Sequence, residues 1–288
     1  MNILITGSTG FIGTHLKTAL SQKYTLLTPN HRQLDLLDEK KVQSYFLINK
    51  VDIVIHCAVV GSNGPHLFVK GMFYDNICIF FNLARCRKYY QRLIHIGSGA
   101  VYDKRHPIVN IKEKDFGKQI PNDEYGLYKY ICSNYIHQTD NMIDLRIFGI
   151  FGEGENYQHR FISNALCRYI HGLPITMKQD VYFDYMDVQD LAPIIDHFIK
   201  NKPAYRAYNI GTGKKINLMT IAKTITRLGK EKHMIYVKKK ELANEYTCDI
   251  TRLKNEMPQI TFTPFYQSLL RLHAWYKKQK NTIQKDEL

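Results

Sequence analysis

Residues 1–13 read MNILITGSTGFIG: an apolar run, 1–6, turns at once into Gly7-Ser8-Thr9-Gly10-Phe11-Ile12-Gly13, and a helix-compatible stretch, 11–21, follows. An unbroken apolar run of this length suits a strand covered on both faces. Three glycines at G-x-x-G-x-x-G spacing between strand and helix allow the tight turn, let backbone approach a pyrophosphate, and permit close strand–helix contact. A phosphate placed there meets free N–H groups and the positive end of the helix dipole. A glycine triplet alone also fits a merely structural turn. Its position at the head of a βαβ pattern makes Gly7, Thr9, Gly10, Phe11, Ile12 and Gly13 a dinucleotide-binding loop.

Working outward, strand and helix patterns alternate. Stretches 24–28, 52–58 (DIVIHCA) and 92–97 (RLIHIG) are strands, and 40–49 and 67–90 are helices. Beyond them, 123–138 reads as a helix, 143–147 as a strand and 160–171 as an amphipathic helix stopped by Gly172 and Pro174. Short pieces at 182–186, 208–210 and 234–237 follow, and Lys238-Lys239-Lys240 is a solvated charge run. The alternation predicts an α/β fold, a Rossmann doubly wound parallel sheet with a smaller C-terminal α/β lobe. Residues 1–150 form the cofactor domain, with some later segments returning to it, and 151–288 mainly the substrate lobe.

The chain has 288 residues with 40 Lys+Arg against 26 Asp+Glu, a net charge of +14, with 44% hydrophobic and 23% charged residues. That balance excludes disorder and collagen-like repetition. The basic excess implies an anionic partner: nucleic acid, a membrane surface or a phosphorylated metabolite. No nucleic-acid recognition motif accompanies the dispersed basic residues, and no apolar run is long enough to span a membrane. The six cysteines, Cys57, Cys78, Cys86, Cys132, Cys167 and Cys248, are scattered, as reduced thiols of a cytoplasmic protein are, with neither a disulfide framework nor a metal site. The end, Lys285-Asp286-Glu287-Leu288, spells an endoplasmic-reticulum retention address, but no signal peptide leads the chain into that compartment, so the match reads as coincidence.

After the second strand come Thr28-Pro29-Asn30-His31-Arg32, with no carboxylate for a ribose 2′-hydroxyl. Arg32 suits a 2′-phosphate, which favours NADPH over NAD, although one arginine on a turn is also a common solvated residue. Tyr125 and Lys129 lie four apart, on one helix face. A lysine ammonium beside a phenol lowers its pKa towards the working range. Ser98, just past the strand at 92–97, is placed to bond the same substrate oxygen. Tyr128 and Tyr130 on the same helix are packing residues.

With these motifs in order, the chain resembles the extended short-chain dehydrogenase/reductase family of nucleotide-sugar enzymes, over nearly its whole length. GSTGFIG, the serine before AVY, YGLYK, the R-x-x-x-x-x-G stretch from Arg146 to Gly152, and NIGTG at 209–213 carry the resemblance. Within the family, HRQLDLLD (31–38), AVVGSN (58–63) and GSGAVY (97–102) are most similar to the GDP-fucose synthase-like reductases. The resemblance implies that Ser98, Tyr125 and Lys129 are catalytic, that Asp35 and Leu36 lie near the adenine, and that Cys57, Ala58 and Val59 line the cofactor cleft. It implies Ser98, Gly99, Phe148, Arg160, Phe161, Asn164 and Arg168 as substrate contacts. It also implies a homodimer through the helices near 67–90 and 123–138.

Departures from the family pattern narrow the reaction. Dehydratases carry Asp-Glu where this chain has Gly99 and Ala100, which argues against sugar dehydration. Ala100 also stands where the fucose synthases carry the cysteine that epimerises C3 and C5, and the histidine partner falls near His159 or Arg160. Gly149 replaces the usual Asn, Phe183 the usual Arg before Asp184, and Glu245 an Arg near the end. The expected function is NADPH-dependent reduction of C4 in a nucleoside-diphosphate 4-keto-6-deoxy sugar, without 3,5-epimerisation, for a bacterial surface polysaccharide such as lipopolysaccharide or capsule. The nucleotide stays open among GDP, CDP and dTDP, and the sugar between hexose and heptose. Two alternatives remain: a 4-epimerase with tightly bound NAD, and a non-catalytic dinucleotide sensor.

Overall fold

Residues 1–61, 70–229 and 234–288 are described by the structure, a computed structural model. The first apolar run forms β1 (Asn2–Thr6), buried from Ile3 onward, and the glycine turn leads into α1 (Phe11–Leu20). Next come β2 (Thr25–Leu27), α2 (Glu39–Ile48), β3 (Ile53–His56), α3 (Met72–Arg85), β4 (Arg92–Ser98) and β5 (Ile108–Ile111). Asp38 starts α2 by accepting the Lys41 N–H, and Asp123 starts α4 (Glu124–His137) by accepting the Gly126 N–H at 2.8 Å. The chain continues through β6 (Met142–Ile147), β7 (Gly149–Phe151), α5 (Phe161–Ile170), β8 (Ile175–Gln179), β9 (Tyr182–Asp187) and α6 (Leu191–Lys200). It ends with β10 (Ala207–Ile210), β11 (Lys215–Asn217), α7 (Leu218–Thr226), β12 (Ile235–Lys239), β13 (Tyr246–Cys248), α8 (Thr251–Glu256) and α9 (Phe265–Lys278).

The main sheet has the order β10-β6-β4-β3-β1-β2, and all its pairings are parallel. From β1 the chain steps outward to β2, then crosses back to β3 on the other side. This reversal opens a crevice at the carboxyl ends of β1 and β3, where such sheets bind ligands. Helices α1 and α6 cover one face, with Leu16, Leu20, Ile194 and Phe198 in the core; α2, α3 and α4 cover the other, with Phe46, Phe80, Leu83 and Cys132. A second sheet, β11-β9-β13-β5 with β7 on β9, and a β8–β12 pair stand over the crevice. Their own core gathers α5, α7 and α9. The chain crosses between these layers repeatedly: α6 and β10 return to the main sheet, and β5 leaves the first half to pair with β13.

A buried ion pair ties the layers. Arg146 is wholly buried; its Nε donates to Asp144 at 3.0 Å and its two terminal nitrogens to Tyr102 Oη and Ser133 Oγ, each at 2.8 Å. Tyr102 in turn donates to Asn209 at 2.7 Å, and Asn209 to the Ile111 carbonyl at 2.9 Å. One network therefore joins β6, α4, the turn after β4, β10 and β5.

The elements differ from the sequence reading in instructive places. The helix expected over 67–90 begins at Met72, because Gly71 adopts a left-handed φ of 89°, and it ends at Arg85 before a tight turn at Arg87–Tyr89. Residues 67–69 of that expectation, and 62–63 of AVVGSN, lie outside the described residues. Ser98 is the last residue of β4 and not a residue past it. The unexpected α6 and α7 carry regular helical spacing, with buried Leu191, Ile194, Ile195, Phe198 and Leu218, Ile221, Ala222, Ile225. By contrast β5 and β8 are short and find partners, β13 and β12, far along the chain, so no local pattern announces them. All six cysteines are free thiols, four of them buried.

Replacing Arg146 with Met should leave Asp144 buried without its cation. Urea unfolding is expected to show a loss of about 3–5 kcal/mol, whereas Arg146→Met combined with Asp144→Leu should recover part of it.

Candidate active site

The carboxyl ends of β1, β3, β4 and β6 open into a cleft of about 1160 Å³, larger than the roughly 300–1,000 Å³ usual for one small ligand. Its floor is the glycine turn with Cys57, Ala58 and Val59. Its opposite wall comes from 155–164, Arg168 and β8. All of Gly7, Thr9, Gly10, Phe11, Ile12, Gly13, Cys57, Ala58 and Val59 line it. At Gly7 and Gly13 the turn leaves no room for a side chain. Gly7 has a φ of 67°, and a Cβ on Gly13 would lie 2.1 Å from the Gly7 carbonyl oxygen. No side chain caps the start of α1, where Gly10 is the N-cap, so its N–H groups face the cleft undressed, a cradle that fits a pyrophosphate.

Arg32, Asp35 and Leu36 do not line the cleft. Arg32 is exposed, with no side-chain bond among the described residues. Asp35 accepts the Leu37 N–H at 3.0 Å, and the Leu36 carbonyl accepts Asn82 Nδ2 at 2.9 Å. These two are thus occupied in shaping their own loop.

Ser98, Tyr125 and Lys129 meet on the cleft wall. Lys129, 2% exposed, donates to the Ile96 carbonyl at 2.6 Å and lies 5.1 Å from the centre of the Tyr128 ring. Burial pushes the Tyr125 phenol up, but the Lys129 charge, a hydrogen bond from Ser98, and the charges of Lys104 and Arg160 outweigh it, so the phenol sits below its ordinary value. Ser98 Oγ also accepts the Ala100 N–H at 3.1 Å. Tyr128 packs edge-on against Tyr125 and Tyr130 stacks on Phe116. The phenol, the serine and the ammonium thus line the same cleft as the glycine turn.

Of the residues expected to contact substrate, Ser98, Phe148, Arg160, Phe161, Asn164 and Arg168 line the cleft, and Gly99 does not. A Cβ on Gly99 would strike the Phe148 ring and the Tyr246 hydroxyl. Arg168 is anchored to Asn164 Oδ1 at 3.1 Å and to the Pro174 carbonyl at 3.0 Å. The family departures acquire structural reasons. Gly149 lets β7 approach β9, since a Cβ there would lie 2.4 Å from the Asp184 carbonyl. Glu245 pairs with Lys215 at 3.1 Å, outside the cleft, while Phe183 lines it. Asp184 accepts the N–H groups of Thr212 and Gly213 at 2.8 and 2.7 Å, clamping the NIGTG loop.

Sequence reading missed Lys104, Asp123, Glu155, Lys178, Tyr185 and Tyr246, which also line the cleft. Lys104 follows the GAVY stretch closely enough to have been suspected; Glu155 and Tyr246 have no local signal. Glu155 is buried, and Ser163 Oγ donates to its carboxyl at 2.6 Å. Burial pushes that carboxyl up to about 7 against the opposing pull of Ser163 and Arg160.

A family model described as the NAD dependent epimerase/dehydratase family matches residues 3–211. Among curated relatives, GDP-L-colitose synthase of Yersinia pseudotuberculosis is 24% identical over 270 residues, covering 83% of this chain and 86% of that one. Among solved structures, a GDP-L-fucose synthetase from Naegleria fowleri bound to NADP superposes with a TM-score of 0.83 at 17% identity, covering 99% of this chain and 96% of the other. A UDP-glucose 4-epimerase with UDP-glucose from Thermotoga maritima gives 0.82 at 18%, covering 97% and 99%. At these identities the likeness to the solved structures is one of fold.

Two outcomes follow from the cleft. Gly13→Ala should abolish binding of NADPH or NADH, followed by nicotinamide fluorescence, since the added methyl has no space beside Gly7. Glu155 keeps its proton in the folded chain between its ordinary 4.5 and about 7, where the unfolded chain has released it. Its stabilisation is complete below the lower value and lost as pH rises through the upper. Urea unfolding at pH 5 and pH 8 should show Glu155→Gln gaining on the wild type by on the order of 2–3 kcal/mol at the higher pH.

Proposed function

This chain belongs to the NAD dependent epimerase/dehydratase family, and we propose that within it the chain is an NADPH-dependent reductase. Its substrate is the C4 ketone of a nucleoside-diphosphate 4-keto-6-deoxy sugar, a GDP-linked hexose or heptose first. The observation that carries this reading is Tyr125, whose phenol is drawn below its ordinary value by Lys129 and Ser98 at the junction of the glycine cradle and the arginine-bearing wall. Arg32, exposed beyond β2 and without a partner among the described residues, supports NADPH. Arg160 and Arg168 hold the substrate's diphosphate. The unit is a homodimer working in the cytoplasm, joined through α3 and α4.

Reduced nicotinamide, when bound, supplies the hydride that reaches C4. Ser98 donates a hydrogen bond to the carbonyl oxygen, and Tyr125 gives its proton to the same oxygen, so the ketone becomes an alcohol. Lys129 holds the phenol's pKa down and stabilises the phenolate left behind. Epimerisation at C3 and C5 is outside this repertoire. Ala100 is buried, carries no exchangeable proton and does not line the cleft. Cys57 does line it, but burial pushes its thiol up to about 12 despite Lys129.

A panel of GDP-, CDP- and dTDP-linked 4-keto sugars should yield one that consumes NADPH stoichiometrically, with no solvent deuterium entering C3 or C5. Tyr125→Phe should lower that turnover by about 10²–10⁴-fold while cofactor affinity stays within about twofold. NAD that copurifies with the enzyme, together with C4 inversion and no net oxidation, would make it a 4-epimerase instead.

A further inference from the structure

Residues 280–288 follow α9 and return to the cleft. Ile283 is buried among the side chains that α5, α7 and α9 gather, which anchors the middle of this strap on the second lobe. A tight turn at Lys285–Glu287 then brings Glu287 against the wall segment that precedes α5. One carboxylate oxygen of Glu287 accepts two hydrogen bonds, from Tyr157 Oη at 2.9 Å and from Gln158 Nε2 at 2.6 Å. Leu288 packs against the same core as Met177, Val181 and Leu218, and all four line the cleft. Two of the four residues that spell a sorting address are therefore engaged by the fold itself.

Glu287 grips a turn on which one side of the cleft depends. Asn156 Oδ1 accepts the N–H groups of Gln158 at 3.0 Å and His159 at 3.2 Å, and the Asn156 carbonyl accepts the Arg160 N–H at 3.1 Å. The turn thus carries Asn156, Gln158, His159 and Arg160 into the cleft wall as a unit. Its own bonds are local and lie at or near the surface, where such segments open most easily. Two further bonds to a charged acceptor, the stronger kind, come only from the strap. The lobe that gives Arg160 and Arg168 to the cleft also gives it the apolar side chains of Met177, Val181, Leu218 and Leu288. Cations for phosphates and a dry face for a flat base are the complement of a nucleoside diphosphate.

We propose that residues 280–288 are part of the substrate site: Glu287 is a positioning residue that fixes the 156–160 turn, and Leu288 is a specificity-determining residue that covers the base of a nucleoside diphosphate. The proposal rests on the reading of the substrate as nucleotide-linked. Neither residue belongs to the group of Ser98, Tyr125 and Lys129, so both act on binding and leave the hydride and proton steps alone.

The test is a calorimetric titration of the full-length protein, saturated with whichever of NADP⁺ and NAD⁺ it binds, with GDP, CDP, UDP and dTDP. For the tightest of the four, Leu288→Ala should weaken binding about five- to tenfold, as apolar area leaves the contact. Glu287→Ala should weaken it by about as much, and Glu287→Gln, which keeps an acceptor for both donors, should restore most of the loss. Cofactor affinity should stay within about twofold in all three variants. Nucleotide affinity that is unchanged in either alanine variant, or lost together with cofactor affinity, overturns the proposal. With the substrate that the panel identifies, KM should rise by the same factors while kcat holds. Hydrogen exchange gives a reading that needs no ligand. Amides of residues 157–160 should exchange about tenfold faster in Glu287→Ala, with residues 7–13 unaffected, and equal exchange at 157–160 overturns the positioning role. If none of the four nucleotides binds the wild type, the nucleotide-sugar reading fails, and the exchange still decides whether Glu287 fixes the turn.

Discussion

One buried ammonium organises the site. Lys129 gives up water for a single carbonyl at 2.6 Å and the face of the Tyr128 ring, an arrangement that tolerates a positive charge at considerable desolvation cost. Its neighbours' protonation states follow from that charge and from the dryness around it. His56 is pushed down to about 3, first by burial and then by Lys129, and His95 is lowered for the same reasons with His56 adding to them. Both imidazoles are neutral, His56 bonding Thr6 at 2.8 Å. Cys57 is held as a thiol. Among these described neighbours of Lys129, the Tyr125 phenol on the cleft wall is the one moved towards ionisation.

The same physics sorts the charges at the other end. Lys104, Lys129, Arg160, Arg168 and Lys178 line the cleft against Asp123 and Glu155. Glu155 is held protonated to about neutral pH by burial. The cleft is therefore more positive than a count of its residues implies, which suits two phosphate-bearing ligands. Five of the 40 Lys+Arg line it, so the basic surplus as a whole is spread over other parts of the chain.

The residues legible in the sequence were those whose neighbours are close along the chain. Gly7, Gly10 and Gly13 sit within one turn, and Tyr125 and Lys129 within one turn of α4, so their spacing already states their geometry. Ser98 was legible because a strand end places it. Arg32 was legible only as a residue type; the structure sets it outside the cleft wall. Gly149, Phe183 and Glu245 looked like losses of sugar-binding groups. Gly149 and Glu245 instead serve packing and a surface ion pair, because the approach of β7 to β9 and the reach of Lys215 are set by strand pairings.

By itself, then, the sequence determined the parallel sheet, the glycine cradle and the grouping of Tyr125 with Lys129 beside a strand-end Ser98, since each is written in contacts a few residues long. Tertiary structure alone decided which distant groups share the cleft. Tyr246 stands against Phe148, Glu155 against Ser163 behind the arginine wall, and Asp184 beneath Thr212. Such partners come from segments joined through sheet pairing and burial, whose free energy depends on the folded whole and leaves no periodic trace in the segments themselves.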